Sequence, residues 1–75
     1  MRTIMKTDER KFAALVLQCQ HGYEIREVMN TCGVPFKRCV YYLEKWSRKD
    51  WYDYGVSLDL GWLTALGIEK LREMV

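Results

Sequence analysis

Apolar residues recur in the chain with two different periods. Phe12, Leu15, Val16 and Cys19 follow an i, i+3, i+4, i+7 spacing, which places them on one face of a helix. Thr7 suits the cap of that helix, with Asp8 and Glu9 in its first turn, where a helix favours negative charge. Gly22 is expected to end it. A short second helix fits residues 24–31, with Ile25, Val28 and Met29 inward and Arg26, Glu27 and Asn30 outward. Gly33 suits a turn that needs a positive φ, and Pro35 suits the first turn of a helix, where a missing N–H costs nothing. Two helices joined by three or four residues around a glycine form a helix-turn-helix pattern.

The third helix is expected over residues 35–49. With Leu43 as the centre of its buried face and a step of about 100° per residue, Phe36, Cys39 and Trp46 fall within about 60° of it and Val40 lies at the margin. Lys37, Arg38, Tyr41, Lys45, Arg48 and Lys49 then share the opposite face, and five of those six are cationic. An ordinary solvated face mixes signs more evenly; here Glu44 interrupts only at the flank.

Beyond Lys49 the period changes. Val56, Leu58, Leu60 and Trp62 alternate with Ser57, Asp59 and Gly61, which predicts a half-buried strand. Trp51, Tyr52 and Tyr54 are aromatic strand formers, so a hairpin is expected, with its return over residues 53–57 and Gly55 at the tip. Thr64 suits the cap of a last helix starting at Ala65, with Ile68, Leu71 and Val75 as its inner stripe. Gly67 weakens that helix and allows a close approach to the core.

Composition narrows the function classes. At 75 residues and 49% hydrophobic content the chain suits one small domain over residues 7–75, preceded by a loose arm at residues 1–6. Residues 1–50 hold ten Lys/Arg against six Asp/Glu, a balance of +4; residues 51–75 hold two against four, a balance of −2. A positively biased half is the electrostatic footprint of a nucleic-acid binder. No apolar run reaches the roughly 20 residues that cross a bilayer, and the N-terminus lacks a signal-peptide apolar region. The three cysteines do not form a secreted disulfide pattern, so a cytoplasmic protein with reduced thiols is expected.

The stretch IREVMNTCGVPFKRCVYYLEKW resembles the second helix, turn and recognition helix of the winged-helix family of prokaryotic DNA-binding proteins. The stretch LGWLTALGIEKL resembles the junction of strand, Leu-Thr-x-x-Gly and helix that closes the wing in many of those regulators. The resemblance implies an α+β winged-helix fold, with three helices, a two-stranded wing hairpin and a C-terminal helix. It matches Gly33 to the turn glycine, and Cys32, Val34, Cys39 and Tyr42 or Leu43 to the positions that lock the two helices together. It also matches Pro35, Phe36, Lys37, Val40, Tyr41 and Glu44 to positions that usually face DNA, which conflicts with the inward assignment of Phe36 and Val40 above. The compactness is similar to that of small regulators and excisionases of phages and mobile elements.

The function expected is duplex DNA binding by a transcriptional regulator or a phage or mobile-element accessory factor, with helix 35–49 in the major groove. Lys37, Arg38 and Tyr41 would reach base edges or flanking phosphates, and Lys45, Arg48 and Lys49 would meet phosphates. One module makes few contacts, so a homodimer or a side-by-side assembly on DNA is expected. The hairpin carries no Lys or Arg between Trp51 and Thr64, so the helix rather than the wing is expected to carry binding. The alternative is a winged-helix adaptor whose aromatic surface binds a protein. A DNA binder leaves Lys37, Arg38, Lys45 and Arg48 unpaired with acids, whereas an adaptor can tie them to its own Asp or Glu. Cys19, His21, Cys32 and Cys39 do not have the close paired spacing typical of zinc sites, and neither a Cys–His catalytic pair nor a phosphate-cradling glycine loop is recognisable. No enzyme activity, metal or other cofactor is expected.

Overall fold

The computed structural model describes residues 7–19 and 22–75, apart from the side chains of residues 22–24. Its elements run α1 (Thr7–Val16), α2 (Gly22–Thr31), α3 (Phe36–Arg48), β1 (Tyr52–Asp53), a 3-10 turn (Leu58–Leu60), β2 (Trp62–Leu63) and α4 (Ala65–Met74). This is the winged-helix topology expected from the sequence. The arm at residues 1–6 and His21 lie outside the described residues.

Phe12, Ala13 and Val16 of α1 meet Ile25 and Met29 of α2 and Cys39, Leu43 and Trp46 of α3 in one core. The Phe12 ring stacks on Trp46 with centroids 5.5 Å apart. Gly33 has φ +82°, the left-handed conformation expected of the turn. Pro35 caps α3 from just outside it, its carbonyl accepting from the Arg38 and Cys39 N–H groups. Gly22 begins α2 instead of ending α1, and α1 stops at Val16.

The hairpin is shorter than its alternating sequence predicts. Two antiparallel pairs form it, Tyr52 with Leu63 and Asp53 with Trp62. Val56, Leu58 and Leu60 are not in a strand; Val56 is fully exposed and the other two belong to the 3-10 turn. Buried Tyr52 explains the difference, because its hydroxyl donates to the Leu58 carbonyl and accepts from the Gly61 N–H, so it bends the loop inward. Burial pushes that phenol up to about 12.

The 3-10 turn packs on α2, where Asp59 accepts from Arg26 Nε at 2.8 Å and from the Ser57 hydroxyl. Arg26 first, then Ser57, holds the Asp59 carboxyl below its ordinary value of 3.8. A carboxyl depressed by folding stabilises the protein above its unfolded pKa, and the contribution is lost as pH falls through the lower folded value. Asp59→Asn is therefore expected to cost up to about 1 kcal/mol at neutral pH, with the deficit shrinking below about pH 4. Urea melts at pH 7 and pH 3 check this, and a deficit equal at both would contradict it.

Thr64 and Gly67 close the wing onto α4. The Thr64 hydroxyl accepts from the Gly67 N–H at 2.9 Å and donates to the Asp50 carbonyl at 2.6 Å. The inner stripe of α4 is Gly67, Leu71 and Met74; of the expected Ile68, Leu71 and Val75, only Leu71 is buried. Gly67 sets this roll, because its bare backbone lies against the Trp51 carbonyl and turns Ile68 away from the centre.

Candidate functional site

The expected cationic stripe divides into two sets. The buried residues of α3 are Cys39, Tyr42, Leu43 and Trp46. Their mean direction lies about 50° from Leu43, so the wheel centred on Leu43 was turned by that angle. Phe36, placed inward on that wheel, is 49% exposed, and Val40 is half-buried. The family likeness places both outward, which holds for Phe36, whereas Val40 packs against the core from the margin where the wheel sets it.

Lys37, Tyr41, Glu44 and Arg48 form the crest directly opposite the buried face, all exposed. Their spacing of three or four residues sets them one above another. Tyr41 is 56% exposed, and its ring meets the buried Tyr42 edge-on. Phe36, Val40 and Ser47 form one flank of the crest, and Arg38, Lys45 and Lys49 the other.

That second flank turns towards α1. Arg38 pairs with Asp8, and Lys45 Nζ lies 3.1 Å from Glu9 Oε1. Glu9 is only 2% exposed, and its other oxygen accepts from Trp46 Nε1 at 2.9 Å. Burial of a carboxylate requires such partners, so Lys45 supports the fold. Lys49 Nζ stands 4.8 Å from the Trp51 ring centroid, a cation–π contact. On the crest, Arg48 lies 3.9 Å from Glu44. Of Lys37, Arg38, Lys45 and Arg48, Lys37 alone has no acidic partner among the described residues.

Sequence reasoning missed Glu9, although a signal was present. Glu9 stands three and four positions before Phe12 and Ala13, on the apolar face, where an acid must find donors. The nearest suitable donors are on α3, 36 and 37 residues further along the chain.

The remaining surface of the described residues offers little chemistry. A cleft of about 280 Å³ lies between α1, α2, β2 and α4, and Cys19 is the one titratable group among its described lining residues. Cys32 and Cys39 are unbridged and buried, their sulfurs 3.7 Å apart. Among the described residues no cluster of three or more His, Cys, Asp or Glu is placed to hold a metal. Among those residues no helix is long and apolar enough to cross a membrane. Trp51 and Tyr52 are core residues, whereas Tyr54 and Trp62 remain exposed as candidates for a protein contact. No family model, curated protein or solved structure matches the chain.

Proposed function

We propose that this chain binds duplex DNA, laying the crest of α3 in the major groove as a regulator or an accessory factor of a phage or mobile element. The observation that supports this best is the exposed line Lys37–Tyr41–Arg48, borne on a helix that follows a tight turn and lies opposite the core. A major groove about 12 Å wide admits a helix, so a crest of this kind can meet base edges. Lys37 can donate to guanine, while Phe36, Val40 and Tyr41 suit thymine methyls and sugars. The two more exposed pairs do not remove their cations from binding. Exposed ion pairs are worth about 0–1 kcal/mol, so Arg48 can exchange Glu44 for a phosphate, whereas Arg38 reaches one only in competition with Asp8. Lys45 differs, because leaving it would strand a buried acid. The contacting set is therefore Lys37, Tyr41 and Arg48, with Arg38 and Lys49 at the edge and Lys45 retained for structure.

The pairing of Arg38, Lys45 and Arg48 with the chain's own acids supports a second reading, an adaptor that binds a protein. Exposed Phe36 and Tyr41 would then be its anchors. Fluorescence anisotropy with duplex DNA across a salt series separates the two. DNA binding is expected to weaken steeply with salt, and Lys37→Ala/Arg48→Ala is expected to flatten the log–log slope by about 2 without unfolding the protein. No binding by the intact protein even at low salt would leave the adaptor.

A further inference from the structure

Asp8 and Glu9 are neighbours in the first turn of α1, and each reaches a cation on the same flank of α3. Arg38 lies in the first turn of α3 and Lys45 two turns later, so the acids grip the helix at two levels. Glu9 also holds Trp46, which fixes the roll of α3 about its own axis. A helix lying in the major groove turns its crest to the bases and its flanks to the phosphate walls. The flank opposite, Phe36, Val40 and Ser47, carries no charge. The charged flank is thus the side on which a phosphate track would be met, and carboxylates already occupy two of its cations.

We infer that Asp8 and Glu9 act as internal counter-anions that limit how many phosphates α3 engages and so set the strength of its sequence-independent binding. This rests on the DNA-binding role proposed above. Neutralising a phosphate releases condensed counterions, and the affinity gained does not depend on sequence. A flank with two free cations would engage up to two more phosphates. With the acids in place, the crest residues carry a larger share of the binding, and one copy alone binds weakly. Glu9 is a positioning residue as well, because the carboxylate that cancels Lys45 also holds Trp46.

The two acids can be removed separately. Asp8→Asn keeps the shape of a side chain that is 35% exposed, so it is expected to change stability little. Glu9→Gln keeps an oxygen for Trp46 Nε1 while freeing Lys45, whose side chain is 32% exposed and can turn to solvent. Intact protein and both variants are titrated onto a random-sequence duplex between 50 and 200 mM salt, with near-UV circular dichroism to confirm packing. Each variant is expected to steepen the log–log slope by about 1, equivalent to about a three- to four-fold greater loss of affinity over that range. A protein in which these acids serve stability alone would show a changed melting temperature and an unchanged slope. Unchanged slopes in folded variants, with the intact protein binding DNA, would overturn the inference and leave the DNA-binding role standing. Absence of salt-dependent binding by the intact protein would overturn both. Where Glu9→Gln fails to fold, the slope of Asp8→Asn decides.

Discussion

Gly67→Ala is expected to destabilise the protein by about 3–5 kcal/mol, the range reserved for severe clashes and broken networks. Helix propensity alone has the opposite sign, since alanine is better than glycine inside a helix by about 1 kcal/mol. Packing wins because a Cβ at Gly67 would stand 1.8 Å from the Trp51 carbonyl oxygen and 2.6 Å from its carbon. Both atoms are backbone and cannot rotate away. The same carbonyl accepts the Thr64 N–H at 2.9 Å, so relief would part α4 from the base of the hairpin. A chain of 75 residues has a total stability of about 4–11 kcal/mol, of which this is a large fraction. Gly55→Ala is the control, because no atom lies within 4 Å of a Cβ there, and its effect is expected to stay under about 1 kcal/mol. Urea denaturation followed by tryptophan fluorescence measures both. A Gly67→Ala midpoint equal to that of the parent would show that the contact of α4 with Trp51 is not close.

Cys39→Asp is expected to cost about 3–5 kcal/mol at neutral pH, as an unpaired charge in the core. Cys39 is fully buried, and its sulfur faces Cys32 Sγ and the Val34 carbonyl, both at 3.7 Å. A carbonyl cannot donate to a carboxylate, and the Cys32 thiol is a weak donor. The same surroundings push the Cys39 thiol up to about 12, through burial first and Cys32 second. An aspartate there would likewise have a folded pKa above its unfolded value of about 3.9. Its penalty is then full at neutral pH and declines as pH falls through the raised folded value. Thermal melts at pH 7 and pH 4 are expected to show a larger deficit at pH 7. A deficit independent of pH would mean that the carboxylate reaches solvent or a cation.

Much of the fold is determined by residues acting locally. Gly33 takes a left-handed turn because that turn costs a glycine little, and Thr64 caps α4 through its own hydroxyl. The order of helix, helix-turn-helix, hairpin and helix follows from apolar spacing and these punctuating residues, since each depends on neighbours a few positions away. The outward line of Lys37, Tyr41 and Arg48 was legible for the same reason.

Tertiary structure decided which way each element faces and which charges remain free. A helical period gives the angles between residues of one helix but not the direction of the core. For α3 that direction is set by Phe12 stacked on Trp46 and by Glu9 bonded to Trp46 and Lys45. Those partners lie more than 30 residues away, so no window along α3 contains them. The Tyr52 hydroxyl likewise overrides the alternation of residues 56–62, because satisfying one buried phenol bends the loop that would otherwise extend as a strand. The sequence by itself determined the winged-helix plan and the candidate helix. The packing of α1 on α3 determined the roll of that helix and cancelled part of its charge, because burial and ion pairing depend on contacts between distant segments.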